Sequence, residues 1–128
     1  TLAEGILNAT GITRWVKTET LLDAVTALSG SGPAYFFMFM EAMTAAGVKM
    51  GLDPETSAQL AIQTGLGSAQ MAIESDVDLS ELRKQVCSPG GTTLKAVEIF
   101  ENQDLSKMVN DAMQAALDRA IEMAKEMG

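Results

Sequence analysis

The 128-residue sequence contains no histidine and only one cysteine, Cys87. Without an imidazole there is no histidine base to activate a cysteine or serine nucleophile, so covalent cysteine catalysis is disfavoured. A lone cysteine cannot close an internal disulfide, and with no histidine beside it the zinc-binding spacings fail, so no metal site is expected. Basic residues are also scarce, 9 against 17 acidic, for a net charge of −8. That balance argues against a nucleic-acid partner, whose phosphates reward Lys and Arg. The longest apolar run, AYFFMFM at 34–40, is seven residues, far short of the roughly 20 that span a bilayer, so no membrane partner is expected. The opening TLAEGILNAT lacks the basic and apolar regions of a signal peptide, and a reducing, cytoplasmic setting fits both that and the single thiol.

What is present reads as helix. Apolar residues make up 47% and charged residues 20%, the composition of a globular domain with a real core. Toward the end, Leu105, Met108, Val109, Ala112, Met113, Ala116, Leu117, Ala120, Ile121 and Ala124 recur at three- and four-residue spacing, an amphipathic helix with Asp104 as its expected N-cap. Asp53-Pro54-Glu55 opens another helix, expected to run to about Ser75. Its apolar face is small: Ala58, Ala61, Gly65, Ala69 and Ala72. The glycines at 65 and 67 each cost about 1 kcal/mol against alanine, so close approach of another backbone is expected to offset them. A third helix starts at Pro33, after a flexible break at SGSG (29–32), and runs to about Met50. Tyr35, Phe36, Phe37, Met38, Phe39 and Met40 cannot all face one neighbour, and a second subunit is the natural cover. Glu41, which interrupts them, reads as a water-facing carboxylate. Shorter helices are expected at 19–28, at 79–87 with Asp78 and Glu81 as a capping box, and at 92–102. The nine methionines are core and interface filler. The start differs: residues 2–9 fit a short helix, and Ile12-Thr13-Arg14-Trp15-Val16 carries a strand signal with nothing to pair with. Such an orphan strand suggests the last piece of a neighbouring sheet in a larger protein.

Two glycine-bearing stretches invite a chemical reading. Gly30-Ser31-Gly32 fails as a dinucleotide fingerprint, because the third glycine would fall at Tyr35 and the preceding segment reads as helix. Ser88-Pro89-Gly90-Gly91-Thr92-Thr93 is different. Its glycines allow a tight bend, and the next helix begins at once, so the amides near Gly91, Thr92 and Thr93 lack helical partners. Such a place can hold a carboxylate or phosphate. An ordinary turn with a threonine N-cap explains the same residues, and spacing does not choose between them.

Two segments, LSGSGPAYFFMFMEAMTAAGVKMGL at 28–52 and LRKQVCSPGGTTLKAVEIFE at 82–101, closely resemble pyrroline-5-carboxylate reductase, the last enzyme of proline biosynthesis, and the likeness covers essentially the whole chain. It implies an all-α fold, an interleaved helical dimerisation domain like the C-terminal domain of 6-phosphogluconate dehydrogenase, over residues 18–128. Residues 1–17 resemble the final helix and strand of that family's N-terminal Rossmann domain. The implied activity is hydride transfer from NADPH or NADH to the C=N carbon of pyrroline-5-carboxylate, in a homodimer or a ring of dimers. The isolated chain would be inactive for want of the cofactor domain. The implied substrate loop comprises Val86, Ser88, Pro89, Gly90, Gly91, Thr92 and Thr93. Ser88, Gly91, Thr92 and Thr93 would hold the substrate carboxylate, the Thr93 hydroxyl would approach the ring nitrogen as the catalytic contact, and Val86 and Pro89 would wall the ring. Asp76 stands where some relatives carry a glutamate at the pocket rim. Ser31, Gly32 and Tyr35 would lie near the nicotinamide. The alternative is a helical dimer used only for assembly.

Overall fold

A computed structural model of the chain describes residues 19–127; the expected helix at 2–9, the strand at 12–16 and the domain boundary after residue 17 lie outside them. Among the described residues the fold is all-α, with no strand: α1 (Glu19–Val25), a π-helical stretch (Thr26–Gly30), α2 (Gly32–Lys49), α3 (Pro54–Glu74), α4 (Leu79–Gln85), α5 (Thr92–Asn102) and α6 (Leu105–Met127). The chain divides into two compact units, one holding 19–36 and 106–127, the other 37–105.

Local chemistry sets most of these boundaries. α2 ends in a Schellman motif: the Leu52 amide donates to the Gly47 carbonyl at 3.0 Å and the Gly51 amide to Val48 at 2.9 Å. Gly51 takes the left-handed conformation this closure needs, with φ 112°. Asp53 then caps α3, its carboxylate accepting from the Thr56 amide at 3.2 Å, with Pro54 in the first turn. Asp78 caps α4 by accepting from the Glu81 amide at 2.9 Å.

One expectation fails at a junction. SGSG is not a flexible break: Ser29 and Gly30 continue the helical path in π register, and only Ser31 separates it from α2. Pro33 has no N–H to give, and its ring crowds the carbonyl four residues back, so a plain α-helix cannot run through. Asp104, the expected N-cap of α6, directly precedes that helix with a left-handed φ of 57°.

In the second unit α2 and α3 form a close-packed hairpin. A Cβ on Gly47 would overlap the Ser57 hydroxyl, and one on Gly65 would come within 2.7 Å of the Met40 methyl. Ser57 is 3% exposed and Ala61 5%, and the Ser57 hydroxyl donates to the Thr44 carbonyl at 2.9 Å. The neighbour of Gly65 on the small face of α3 is thus the end of the Met40 side chain rather than the backbone expected there. The approach is tightest at Gly47, on the facing helix, while Gly67 has nothing within 4 Å. Phe100 of α5 stacks at a tilt on Phe39 of α2, centroids 5.8 Å apart, which ties the helix that follows the SPGGTT loop to this hairpin.

In the first unit a cleft lined by Ala24, Ala27, Met113 and Leu117 separates α1 and the π stretch from α6. The outer face of α6 carries Lys107–Asp111 at 2.7 Å and Arg119 with Glu122 and Glu126 at 3.4 and 3.3 Å, exposed pairs worth a few tenths of a kcal/mol each.

Candidate functional site

The SPGGTT loop is built from the end of α4. The Val86 and Cys87 amides return to the Arg83 and Lys84 carbonyls at 3.2 and 3.1 Å, closing that helix. Ser88 to Gly91 then form a single β-turn, with the Gly91 amide donating to the Ser88 carbonyl at 2.9 Å. Pro89 at the second position and Gly90 at the third, with φ 71°, are what a type II turn demands. Gly91 is fixed for another reason: a Cβ there would lie 3.1 Å from the Ser88 carbonyl oxygen. Gly90 is thus required by the turn's conformation, and Gly91 is favoured by the tight space beside Ser88.

This geometry narrows the question that spacing left open. The residue capping α5 is Gly91, extended at φ −84° and ψ 175°, and no side chain caps the helix, so the threonine N-cap is ruled out. The Gly91 amide is engaged within the turn, which removes it from the amides expected to be open. Those at Thr92 and Thr93 remain, since the first amides of a helix have no partner four residues back. Among the described residues no hydrogen bond engages the hydroxyls of Ser88, Thr92 or Thr93, and Val86, Ser88, Pro89, Gly90, Thr92 and Thr93 are all exposed. Cys87 is half-buried beside them.

Charge adds a feature that motif reading missed. From Arg83 to Lys95 there are three cations and no acid, in a chain whose net charge is −8. Arg83 and Lys84 occupy the last turn of α4, where they also favour the helix dipole, and Lys95 is in the first turn of α5 beyond the loop. A running charge count along the sequence would have found this stretch. Arg83 and Lys84 precede the open amides in the chain, while Lys95 lies 3.9 Å from the Glu98 carboxylate.

The remaining candidates lie elsewhere. Asp76 is exposed between α3 and α4. Ser31, Gly32 and Tyr35 belong to the first unit; Ser31 is half-buried, Gly32 is buried, and the Tyr35 hydroxyl donates to the Ala27 carbonyl at 2.6 Å. The described residues include no strand, and so no strand-turn-helix cradle for a dinucleotide. They do not fit a nicotinamide cofactor by themselves. Glu41 is exposed, as expected, on an open apolar cleft with Phe37, Met40, Ala58 and Ile62.

Known proteins share this helical fold. The family model described as pyrroline-5-carboxylate reductase dimerisation matches residues 19–123. The chain is 50% identical over 123 residues to a pyrroline-5-carboxylate reductase of Pseudomonas aeruginosa, covering 96% of this chain and 45% of that protein. It is 40% identical over 122 residues to human pyrroline-5-carboxylate reductase 2, covering 95% and 38%. A Coxiella burnetii pyrroline-5-carboxylate reductase structure superposes at a TM-score of 0.87 with 45% identity, over 94% of this chain and 45% of that one. A Plasmodium falciparum pyrroline carboxylate reductase, solved with NADP bound, gives 0.84 and 37% over 95% and 46%. The chain thus spans somewhat less than half the length of the relatives it matches. The family match runs from the start of α1 almost to the end of α6, across the whole helical array, and the chain belongs to the pyrroline-5-carboxylate reductase dimerisation family.

Proposed function

We propose that this chain is the dimerisation and substrate-carboxylate part of a pyrroline-5-carboxylate reductase, which reduces 1-pyrroline-5-carboxylate to proline with NADPH or NADH. The observation that carries the reading is the start of α5: open amides at Thr92 and Thr93, unengaged hydroxyls beside them, and an acid-free basic flank. A carboxylate placed there gains charge-assisted hydrogen bonds from groups that otherwise face water. Ser88 and Thr92 orient the carboxylate, Val86 and Pro89 flank the ring, and the Thr93 hydroxyl approaches the ring nitrogen. A protonated imine is already electrophilic, so the residues' task is orientation and exclusion of water rather than strong acid catalysis. The absence of histidine is then no obstacle. The cofactor supplies hydride, and its cradle is not among the described residues.

The working form is a homodimer, because Phe36, Phe37 and Met38 are 67, 63 and 69% exposed on the chain alone. A ring of such dimers is the higher form that the resemblance implies. By itself the 128-residue chain should not oxidise NADPH when given pyrroline-5-carboxylate. Proline, which presents the same carboxylate on the same ring size, should raise its melting temperature, and Thr93→Ala should abolish that rise while leaving the unliganded melting temperature unchanged, as Thr93 is exposed. No rise in either protein would overturn the carboxylate site and leave an assembly module.

A further inference from the structure

At the junction of α1 and α2 one carbonyl changes partner. In an uninterrupted α-helix the Ser31 amide would reach the Ala27 carbonyl, four residues back. It reaches instead to the Thr26 carbonyl, at 2.8 Å, in the register of the π-helical stretch Thr26–Gly30. The Ala27 carbonyl, released from that bond, accepts the Tyr35 hydroxyl at 2.6 Å. Ala27 is 3% exposed, so little water can stand in for the phenol, and a buried carbonyl without a partner is disfavoured.

The other groups nearby do not select this register. The Thr26 and Ser29 hydroxyls donate to Leu22 and Val25, each four residues back, at 3.1 and 3.0 Å. Neither touches the Ala27 carbonyl, the acceptor over which the two registers compete. Pro33 explains why the helix is interrupted, but its ring acts on the carbonyl of Ser29, whereas the exchanged bonds run from Ser31 to Thr26 and from Tyr35 to Ala27. Single π turns within helices are uncommon and need a local cause.

We propose that Tyr35 is the latch of a two-state helix junction. By holding the Ala27 carbonyl, its phenol selects the π register of Thr26–Gly30 over the α register, in which the Ser31 amide would take that carbonyl. The registers differ by one residue, about 100° of helical rotation, so the latch sets the phase at which Ser31 and Gly32 lead into α2. Tyr35 is the only tyrosine in the chain, and phenylalanine there keeps the ring and removes only the donor. Any consequence for a cofactor near Ser31 rests on the function proposed above; the register itself does not.

Crystal structures of the 128-residue chain carrying Tyr35→Phe and, separately, Pro33→Ala test this. In Tyr35→Phe the Ser31 amide is expected to move from the Thr26 to the Ala27 carbonyl, turning the stretch α-helical. In Pro33→Ala the π register and the phenol bond are expected to persist. The proposal is overturned if Tyr35→Phe keeps Ser31 on Thr26. It is equally overturned if Pro33→Ala becomes α-helical with the phenol released, since the proline would then be the selector. Should Tyr35→Phe not fold, Pro33→Ala decides alone.

Discussion

Replacing glycine by alanine inside a helix ordinarily stabilises by about 1 kcal/mol, because alanine has less backbone freedom to lose. Gly67 meets this condition: nothing lies within 4 Å of where its Cβ would stand. Gly67→Ala is expected to raise the unfolding free energy by up to about 1 kcal/mol in urea titrations. At Gly47 the same change puts a methyl group onto the hydroxyl of Ser57, itself 3% exposed and bonded to Thr44. Overpacking a closed contact costs about 1–3 kcal/mol, enough to reverse the propensity gain. Gly47→Ala should therefore destabilise, and adding Ser57→Ala should recover part of the loss. A gain for Gly47→Ala would mean that the α2–α3 hairpin is looser than this contact implies. Composition could not separate these two glycines, because the difference is that Ser57, ten residues along the chain, faces Gly47 while nothing stands against Gly67.

At the scale of elements, helix starts were legible wherever a capping residue announces them. Asp53-Pro54 and Asp78 are such residues, and each begins the helix its chemistry predicts. The unread parts depend on partners further along the chain. The π stretch looks like a serine-glycine break until the Tyr35 phenol, eight residues from Ala27, is seen on its carbonyl. The cap of α5 looked like threonine because threonine caps helices well, but the turn from Ser88 brings Gly91 into that position and engages its amide. The candidate loop was legible as a location, while the division between its bonded and open amides was not. That division gives a test at Gly90, whose φ of 71° costs a residue with a Cβ about 1–2 kcal/mol. Gly90→Ala should lower stability by about that amount, and, by disturbing the turn that orients Thr92 and Thr93, it should weaken the proline-induced rise in melting temperature more than the exposed Ser88→Ala does. Equal weakening by the two would mean that the turn does not organise the amides.

For the whole molecule, the difficulty is how little of the apolar surface the single chain covers. Its buried apolar residues among those described are Ala27 and Ala61, which cannot stabilise a chain of this length by burial. Phe36, Phe37 and Met38 stand about 100° apart on one helix, so no single neighbour covers all three, and cover must arrive from more than one side, as in an interleaved pair. Folding and association should then be one process, with a melting temperature that rises with protein concentration. Phe37 also lines the apolar cleft with Met40 and Ile62, which makes it the position to test. In a two-fold assembly each substitution acts twice. At about 1.5–3 kcal/mol per phenylalanine removed from water, Phe37→Asp should weaken the dimer by roughly 3–6 kcal/mol, or about two to four orders of magnitude in Kd. Light scattering should report a dimer for the wild type, and for Phe37→Asp a species that dissociates and unfolds at micromolar concentration. A wild-type chain that scatters as a stable monomer, with a melting temperature independent of concentration, would show that these side chains need no second subunit.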